Sequence, residues 1–466
     1  MTGGLVVTKR IAILGAGPGG YVGAIKAAKM GAQVTLIEKD TVGGTCLNRG
    51  CIPTKALLAS SDVLTKIRQA KDFGILVDGD IRPDIDFIMD RKDKVVERLV
   101  QGIEFLLDKN NVRLVKGTGK ITDRNKVEVT KEDGSKEDVE ADAIIIATGS
   151  SPAQIPIFPY DGERVITSDE ALNLRQIPKS MIIVGAGVIG CEFAMFFNNL
   201  GTSITIVEMM DHALPLEDKE IGSEMAKAMK RKKIKLMLKT KIESAEKTDT
   251  GVKAILDNGK EIEADIMLVA IGRKANIADI GLEQLGVATD RGRILVDEYM
   301  ETNVKGIYAI GDVVPGAQLA HLASAEAECA VENIMGNNIQ MDYSAVPRGV
   351  FTDPEVSGVG LTEEEAVAKG YSIKKGDFAF RGLGKAQAMG EFFGKVKVIV
   401  DEQTDKLLGA SIIGPNATDI IHELAVGVRY GLTAEQLGRV IHSHPTLSEA
   451  VMEALQDVNG KSAHKV

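Results

Sequence analysis

The sequence contains the same glycine-rich turn twice, and each copy stands between a strand-like and a helix-like segment. The turns lie at residues 15–20 and 185–190, with glycine at the first, third and sixth positions. In each copy a second strand-like segment follows and ends on an acidic residue, Glu38 or Glu208, 23 positions after the first glycine. One such match would be a weak signal, whereas two complete strand–turn–helix–strand units predict two dinucleotide-binding folds.

The three glycines of each turn have separate physical roles. The first permits the tight turn, the second lets backbone amides approach a pyrophosphate, and the third lets the helix pack closely on the strand. The helix N-terminus offers N–H groups to the phosphates, and the acidic residue can accept hydrogen bonds from the ribose hydroxyls. The residues that we expect to bind dinucleotides in this way are Gly15, Gly17, Gly20, Glu38, Gly185, Gly187, Gly190 and Glu208.

Glu208 predicts which nucleotide binds at the second turn. A carboxylate at the ribose favours the free 2′-hydroxyl of NAD and repels the 2′-phosphate of NADP. The next residues, Met209, Met210 and Asp211, include no arginine that could hold a phosphate. We therefore expect NAD rather than NADP.

A second internal similarity supports a duplication. Residues 141–149 and 264–272 both begin with Ala-Asp, continue as a buried strand and end on glycine. A further strand and glycine turn at residues 306–312 follows the second unit, and if it belongs to the first unit, the second is an insertion. No glycine fingerprint appears in the C-terminal part, where strand-like runs precede helix-like stretches.

A chain of 466 residues exceeds what one hydrophobic core usually supports. We predict an α/β protein with two Rossmann-like dinucleotide-binding domains, the second inserted in the first, and a C-terminal α+β domain. The predicted boundaries are residues 1–150 with 276–345, then 151–275, then 346–466.

Composition excludes several classes of protein. Four cysteines are too few for a disulfide scaffold and suit a reducing compartment. The net charge of −10 disfavours nucleic-acid and anionic-membrane partners. No signal-peptide pattern precedes the first strand, and no apolar stretch reaches the roughly 18 residues that span a bilayer. We expect a cytoplasmic protein without a nucleic-acid partner or membrane insertion.

Two of the cysteines, Cys46 and Cys51, lie close together just after Glu38. The other two are isolated, so a zinc site has no second ligand pair, and we predict no metal. Residues five apart on a regular helix are too distant for a disulfide, so we expect Gly50 and Pro53 to distort the turn. The helix that follows would favour a thiolate at its N-terminus. Inert buried thiols remain the alternative.

Exchange between thiols and a disulfide needs a group that moves protons, and six histidines are available. His442 and His444 lie together near the C-terminus, and an isolated pair of this kind is weak evidence for a metal. Residues 446–449 also form a capping-box pattern at the start of the last helix. The residues alone leave open whether Glu449 orients a catalytic histidine or only caps a helix.

The block at residues 43–55 resembles the active-site segment of the pyridine nucleotide-disulfide oxidoreductases. The two glycine turns, Thr148-Gly149, Gly311-Asp312 and His444-Pro445-Thr446 resemble the same family, so the similarity covers nearly the whole chain. Within the family the sequence resembles the dihydrolipoamide dehydrogenase branch most.

The resemblance implies FAD at the first turn and NAD at the second. Asp312 would bind the ribityl chain of FAD, and Lys55 would lie near the flavin N5, paired with Glu192. The residues that the resemblance adds to the cofactor sites are Gly119, Thr148, Gly149, Gly272, Asp312 and Ala320.

The resemblance also implies roles in catalysis. Cys51 would face the flavin, Cys46 would exchange with the substrate, His444 would be the acid and base, and Glu449 would orient it. In this family the partner subunit contributes the histidine, so we expect a homodimer joined through the C-terminal domain.

The implied reaction is oxidation of protein-bound dihydrolipoamide with NAD. The lipoyl group would belong to a carrier protein of a 2-oxo acid dehydrogenase complex or of glycine cleavage. The alternatives are a glutathione-type reductase, which usually favours NADP, and a mercuric reductase, which carries a cysteine pair near its C-terminus. A redox-sensing relative without catalysis is a third alternative.

The chain departs from the family pattern at three positions. Arg49 stands where a smaller apolar residue is usual, Thr54 where serine is common, and a leucine near Ala320 where lysine is frequent. We hypothesise that Arg49, between the two cysteines, helps to hold a thiolate or biases the redox potential.

Overall fold

The computed structural model describes residues 8–465. Residues 1–7 of the predicted polar start and Val466 lie outside this range. The described chain forms two compact units. The first comprises the described residues up to Leu57, Asp86–Ala153 and Gly272–Met341, and the second comprises Leu58–Ile85, Gln154–Ile271 and the residues from Asp342 onwards. The division into three domains at the predicted boundaries stays a prediction.

The first unit contains a five-stranded sheet that carries the first glycine turn. Its strands, in spatial order, are Ile307–Ala309, Ala143–Ile146, Arg10–Leu14, Gln33–Glu38 and Arg113–Lys116, and all neighbours are parallel. The central strand is almost wholly buried, as parallel strands covered on both faces are. The chain leaves this sheet after Ile146 and returns at Ile307, which confirms the predicted insertion.

The helix after the first turn, Pro18–Lys29, packs on the helix Ala320–Ile334. A Cβ added to Gly23 would lie 3.2 Å from the Ala327 side chain, so small residues allow this close approach. The helices Gly44–Arg49 and Leu282–Leu285 lie in this unit, Cys51–Gln69 begins in it, and Ile85–Lys109 has all but its first residue in it. The other strands are Thr118–Asp123, Lys126–Thr130 and Lys136–Glu140, which form one sheet, Ser150–Pro152 with Arg273–Ala275, and Thr289–Asp290 with Arg293–Ile294.

The second unit contains a sheet of the same design. Its strands, in the corresponding order, are Val165–Ile166, Ile266–Val269, Ser180–Val184, Ser203–Val207 and Lys235–Met237, again all parallel. The helix Val188–Leu200 follows the second turn and buries Phe193, Phe196 and Phe197. The remaining elements of this part are the helices Ser168–Ala171 and Lys219–Arg231 and the antiparallel strands Ile242–Lys247, Val252–Leu256 and Glu261–Ala264. The duplication is therefore confirmed at the level of strand order.

The C-terminal part of the second unit has the predicted α+β character. Its antiparallel sheet contains, in spatial order, Arg348–Val350, Glu355–Gly360, Leu407–Gly414, Lys395–Asp401 and Ile373–Ala379. The helices are Glu363–Ala368, Gly384–Met389, Ala417–Arg429, Ala434–Gly438 and Glu449–Asp457. Within residues 8–465, no helix is both long and apolar enough to cross a bilayer.

Candidate active site

The first glycine turn needs glycine for two different reasons. Gly15 has a positive φ of 100°, and a Cβ there would lie 2.3 Å from the Ala147 carbonyl oxygen. A Cβ on Gly20 would lie 1.8 Å from the Gly15 oxygen, so both positions are dictated by packing. Around Gly17 the nearest atom is 3.9 Å away, and the helix Pro18–Lys29 begins without a side-chain cap. Glycine at position 17 thus leaves open space above unpaired helix N–H groups, which suits a pyrophosphate.

The second turn repeats this arrangement. Gly185 has a φ of 101°, and a Cβ there would lie 2.6 Å from the Ala270 carbonyl oxygen. A Cβ on Gly190 would lie 2.0 Å from the Gly185 oxygen, whereas nothing lies within 4 Å of one on Gly187. The helix Val188–Leu200 also begins without a side-chain cap. Both turns therefore fit a dinucleotide by the same physical criteria.

The acidic residues at the strand ends hold their own turns before any ligand binds. The Glu38 carboxylate accepts the Ala16 N–H at 2.7 Å and a backbone N–H two residues further along at 2.9 Å. Glu208 accepts the Ala186 N–H at 2.7 Å and the corresponding second N–H at 2.8 Å. A carboxylate has about four acceptor positions, so each can still bind a ribose diol.

The other predicted cofactor residues of the first unit come from several separate segments of its chain. Gly119 is packed so closely that a Cβ there would lie 3.3 Å from Leu14 and from Ile37. Asp312 follows the strand Ile307–Ala309, and its carboxylate accepts the Ser150 hydroxyl. The Thr148 hydroxyl donates to the Asn276 carbonyl, Gly149 and Gly272 have positive φ, and Ala320 is the first residue of its helix.

Arg273 joins these elements and was missed by the sequence reasoning. Its guanidinium donates to the Ser150 hydroxyl at 2.8 Å, to the Ser150 carbonyl at 2.7 Å and to the Thr45 hydroxyl at 3.3 Å. It therefore ties the residue before Cys46 to the strand that supports Asp312. The only available signal was its position directly after the glycine turn at Gly272.

Cys46 and Cys51 lie on two separate helices, Gly44–Arg49 and Cys51–Gln69. Gly50 interrupts the helical path with φ −149° and ψ −113°, and a Cβ there would lie 3.0 Å from the Thr45 carbonyl oxygen. The predicted distortion is thus confirmed at Gly50. Cys51 is exposed at the first position of its helix, and Cys46 is partly buried.

The two thiols are coupled. The pKa of Cys46 is raised well above its ordinary value by its hydrogen bond with Cys51, by burial and by the charge that Cys51 can carry. The Lys55 ammonium lowers the pKa of Cys46 and so opposes these effects. The coupling opposes two negative charges on the pair, so a charged Cys51 makes Cys46 hold its proton more tightly.

Two residues near the thiols differ from expectation. The Arg49 guanidinium forms an ion pair with the Asp40 carboxylate, and the cation that acts on Cys46 is Lys55. Tyr21, which the sequence reasoning did not select, has a pKa raised by burial and by the charge of Cys46. The guanidinium of Arg49 is therefore paired with Asp40, which precedes residues 43–55 in the chain. These contacts give no support to its hypothesised role at a thiolate.

His444 and Glu449 form a hydrogen-bonded pair. The His444 Nδ1 lies 2.8 Å from Glu449 Oε1, and the Thr446 N–H donates to Glu449 Oε2 at 2.8 Å. Burial raises the pKa of Glu449, but the Thr446 amide and the His444 imidazole lower it by more, so the net pKa lies below the ordinary value. Nδ1 is engaged, so Nε2 is the ring nitrogen left to exchange a proton, on a side chain that is 77% exposed.

The capping-box prediction for the last helix is half right. The Glu449 carboxylate reaches back to the Thr446 N–H, but the Thr446 hydroxyl donates to the Ser443 carbonyl, and the helix Glu449–Asp457 begins after Ser448. One glutamate thus serves both the backbone turn and the imidazole. His442 instead contacts Glu423 and the Val440 carbonyl.

Lys55 and Glu192 lie in different compact units, so their pairing stays a prediction. Glu192 is 3% exposed on the helix after the second turn, and its Oε1 accepts the Phe351 N–H at 3.0 Å. Within residues 8–465, no three His, Cys, Asp or Glu side chains are grouped so that they could hold a metal ion.

Two family models match the chain. One describes pyridine nucleotide-disulphide oxidoreductases and matches residues 9–327, and the other describes the dimerisation domain of the same group and matches residues 346–455.

Individual proteins are similar over nearly the whole chain. A dihydrolipoyl dehydrogenase of Bacillus subtilis is 41% identical over 468 residues, which cover 97% of this chain and 98% of that protein. The mitochondrial dihydrolipoyl dehydrogenase 2 of Arabidopsis thaliana is 41% identical over 462 residues, which cover 97% and 91%. The crystal structure of LpdA from Mycobacterium tuberculosis matches with a TM-score of 0.91 at 29% identity, covering 96% and 99%.

Proposed function

Because the chain belongs to the pyridine nucleotide-disulphide oxidoreductase family, we propose that it oxidises protein-bound dihydrolipoamide and reduces NAD. It is a flavin-dependent disulfide oxidoreductase, and its dihydrolipoyl dehydrogenase relatives are similar along almost their full length. The single observation that supports this function best is the coupled thiol pair, Cys46 and Cys51, directly after the first nucleotide-binding unit.

The chain offers a place for each cofactor. Open space at Gly17 and the remaining acceptor positions of Glu38 suit FAD, and the matching features of Gly187 and Glu208 suit NAD. When bound, FAD carries two electrons between the thiol pair and NAD. We propose that Asp312 holds the ribityl chain and that Lys55, paired with Glu192, lies near the flavin.

The two cysteines have unequal roles in the proposed cycle. In the oxidised enzyme they form a disulfide, and a dihydrolipoyl thiolate attacks the sulfur of Cys46 and releases Cys51 as a thiolate. The second lipoyl sulfur then displaces Cys46, so the lipoyl group leaves as a disulfide and the enzyme keeps both electrons. The raised pKa of Cys46 fits this order, because Cys46 takes up the proton while Cys51 stays charged.

His444 is the proposed acid and base. Its contact with Glu449 fixes which nitrogen is free, and the free Nε2 can take a proton from the dihydrolipoyl thiol and return it to Cys46. We propose that this histidine serves the disulfide of the partner subunit in a homodimer. The dimerisation-domain match over residues 346–455 supports the homodimer.

The carrier of the lipoyl group and the location of the protein are also proposals. We propose a lipoyl-bearing carrier protein of a 2-oxo acid dehydrogenase complex or of glycine cleavage, in the cytoplasm. The relatives named above support a dihydrolipoyl substrate over glutathione disulfide or mercuric ion.

The decisive experiment compares two reactions of the purified holoenzyme. We expect rapid NAD reduction by free dihydrolipoamide and very slow oxidation of NADPH by glutathione disulfide. Comparable rates in both assays, or activity only in the second, would contradict the proposed function. A Cys46→Ser variant that still binds FAD is the matched negative control.

A further inference from the structure

A short segment of the C-terminal sheet makes three successive bonds to the nucleotide-binding part of the same unit. Arg348 begins the edge strand Arg348–Val350, and its Nε donates to Glu217 Oε1 at 2.9 Å. The Phe351 N–H then donates to Glu192, and Asp353 accepts the Lys232 ammonium at 2.5 Å. We call residues 348–353 the strap.

The first of these bonds is a buried ion pair. Glu217 is 4% exposed, and burial raises its pKa while Arg348 opposes that shift. A Cβ on Gly358, which is paired with Arg348 in the sheet, would lie 2.6 Å from both the guanidinium and the carboxylate. A buried pair of this kind contributes little net stability, so its position calls for another explanation.

The middle bond of the strap ends on Glu192. Its carboxylate is buried on the helix Val188–Leu200, in the turn that follows the glycine fingerprint. A buried carboxylate keeps its direction only if hydrogen bonds hold it, and the Phe351 amide supplies one at 3.0 Å. The position of that amide depends on where the strand Arg348–Val350 is held.

We propose that Arg348 is a positioning residue for Glu192. By binding Glu217, it holds the strand that aims the Phe351 N–H at the Glu192 carboxylate. The inference rests on the proposed function, in which Glu192 orients Lys55 at the flavin. Loss of the ion pair then slows the half-reaction between NADH and the flavin without touching the thiols or His444.

A neighbouring ion cluster provides a matched control. Lys397 lies in the central part of the same sheet, and its ammonium is 3.0 Å from Asp218 and 2.7 Å from Glu363. Lys397 and Asp218 are buried more deeply than Arg348, and Asp218 is the residue next to Glu217, but neither belongs to the strap. Its loss weakens the same unit and leaves the strand before Phe351 held by the Arg348–Glu217 ion pair.

The test uses the double variant Arg348→Met with Glu217→Gln, because removing one partner alone would leave a buried charge and endanger folding. The readout is the rate at which NADH produces the long-wavelength thiolate–flavin absorbance in the holoenzyme. We expect a fall of about tenfold or more, and the same fall in Glu192→Gln. Combining all three substitutions should add little to either effect.

The control variant, Lys397→Met with Asp218→Asn, should lose thermal stability and keep the wild-type rate. The inference would be overturned if the Arg348→Met/Glu217→Gln variant kept the wild-type rate, or if the control variant lost rate to the same extent. It would also be overturned if the rate losses of the double variant and of Glu192→Gln simply multiplied when combined. If the wild type reduces no NAD with dihydrolipoamide, the proposed substrate is wrong, whereas the NADH measurement still tests the strap.

Discussion

At the scale of single residues, the structure separates the two thiols by their surroundings. Cys51 is exposed at a helix start, whereas Cys46 is partly buried, and its hydrogen bond with Cys51 raises its pKa. The helix N-terminus favours negative charge on Cys51, and Lys55 adds a cation beside the pair. These differences support the proposal that the two identical side chains have unequal roles.

Replacing Cys51 should therefore change the chemistry of Cys46. Cys51→Ala removes the hydrogen bond and the charge that raise the Cys46 pKa, so alkylation of Cys46 by iodoacetamide should begin at lower pH. Cys51→Asp retains a negative charge and should keep the onset high. Peptide mapping by mass spectrometry over a pH series measures both, and identical profiles would contradict the coupling.

Loss of the histidine should affect only the reaction with the dithiol. We expect His444→Gln to lower kcat for dihydrolipoamide oxidation by about 10²–10⁴-fold, the usual range for a general acid and base. His464→Gln is a matched control, since His464 is also exposed and lies 2.6 Å from a buried glutamate, Glu453. Equal losses in the two variants would contradict the role of His444.

Glu449 should stay charged through the working range of pH. Its lowered pKa means that the bond with His444 is present above the ordinary carboxyl value of about 4.3 and is lost only as pH falls through a lower value. Glu449→Gln should therefore reduce kcat at neutral pH without moving the acid limb of the pH profile upward. If the acid limb of the pH profile disappeared in Glu449→Gln, then Glu449 would titrate within the working range, and the prediction would be wrong.

At the scale of elements, each glycine turn separates positions required by the fold from positions left open for a ligand. Gly185 and Gly190 meet backbone atoms at short range, whereas Gly187 meets none within 4 Å. The first turn shows the same contrast between Gly15 and Gly17. Packing does not require glycine at the third position of either turn, so glycine at both equivalent positions indicates that a ligand occupies the space beside them.

Two substitutions in the second turn test this distinction. Gly187→Ala should leave the thermal unfolding temperature unchanged and raise the KM for NAD, because the methyl group occupies only the ligand's space. Gly185→Ala should lower the stability of the nucleotide-binding part by about 1–3 kcal/mol, since its φ of 101° is unfavourable for alanine. Destabilisation by Gly187→Ala would argue against an open ligand site.

At the scale of the whole molecule, the proposed active site needs two chains. The C-terminal part carries four exposed apolar side chains in the 20 residues before His444, and they are Val426, Tyr430, Val440 and Ile441. Ile441 is 96% exposed. Exposed apolar side chains in a part of the chain that matches a dimerisation domain suit a surface shared with the second subunit.

Mixed dimers test whether the histidine acts on the partner subunit. His444→Gln and Cys46→Ser homodimers should both be inactive with dihydrolipoamide. After dissociation and reassociation of an equal mixture, about half of the dimers should be mixed, each with one complete site, so about one quarter of the wild-type activity should return. No recovery in a mixture shown to contain mixed dimers would place His444 in its own subunit's site.

The sequence alone determined the two nucleotide folds and the thiol block, because each depends on residues less than about 25 positions apart whose spacing follows strand and helix geometry. Only the tertiary structure revealed Arg273 beside Thr45 and Ser150, Arg348 on Glu217, and the Phe351 amide on Glu192. These contacts join residues more than 100 positions apart and leave no periodic pattern. The repeated glycine turn predicts where a nucleotide binds, whereas packing between distant segments decides which side chains surround the nucleotide.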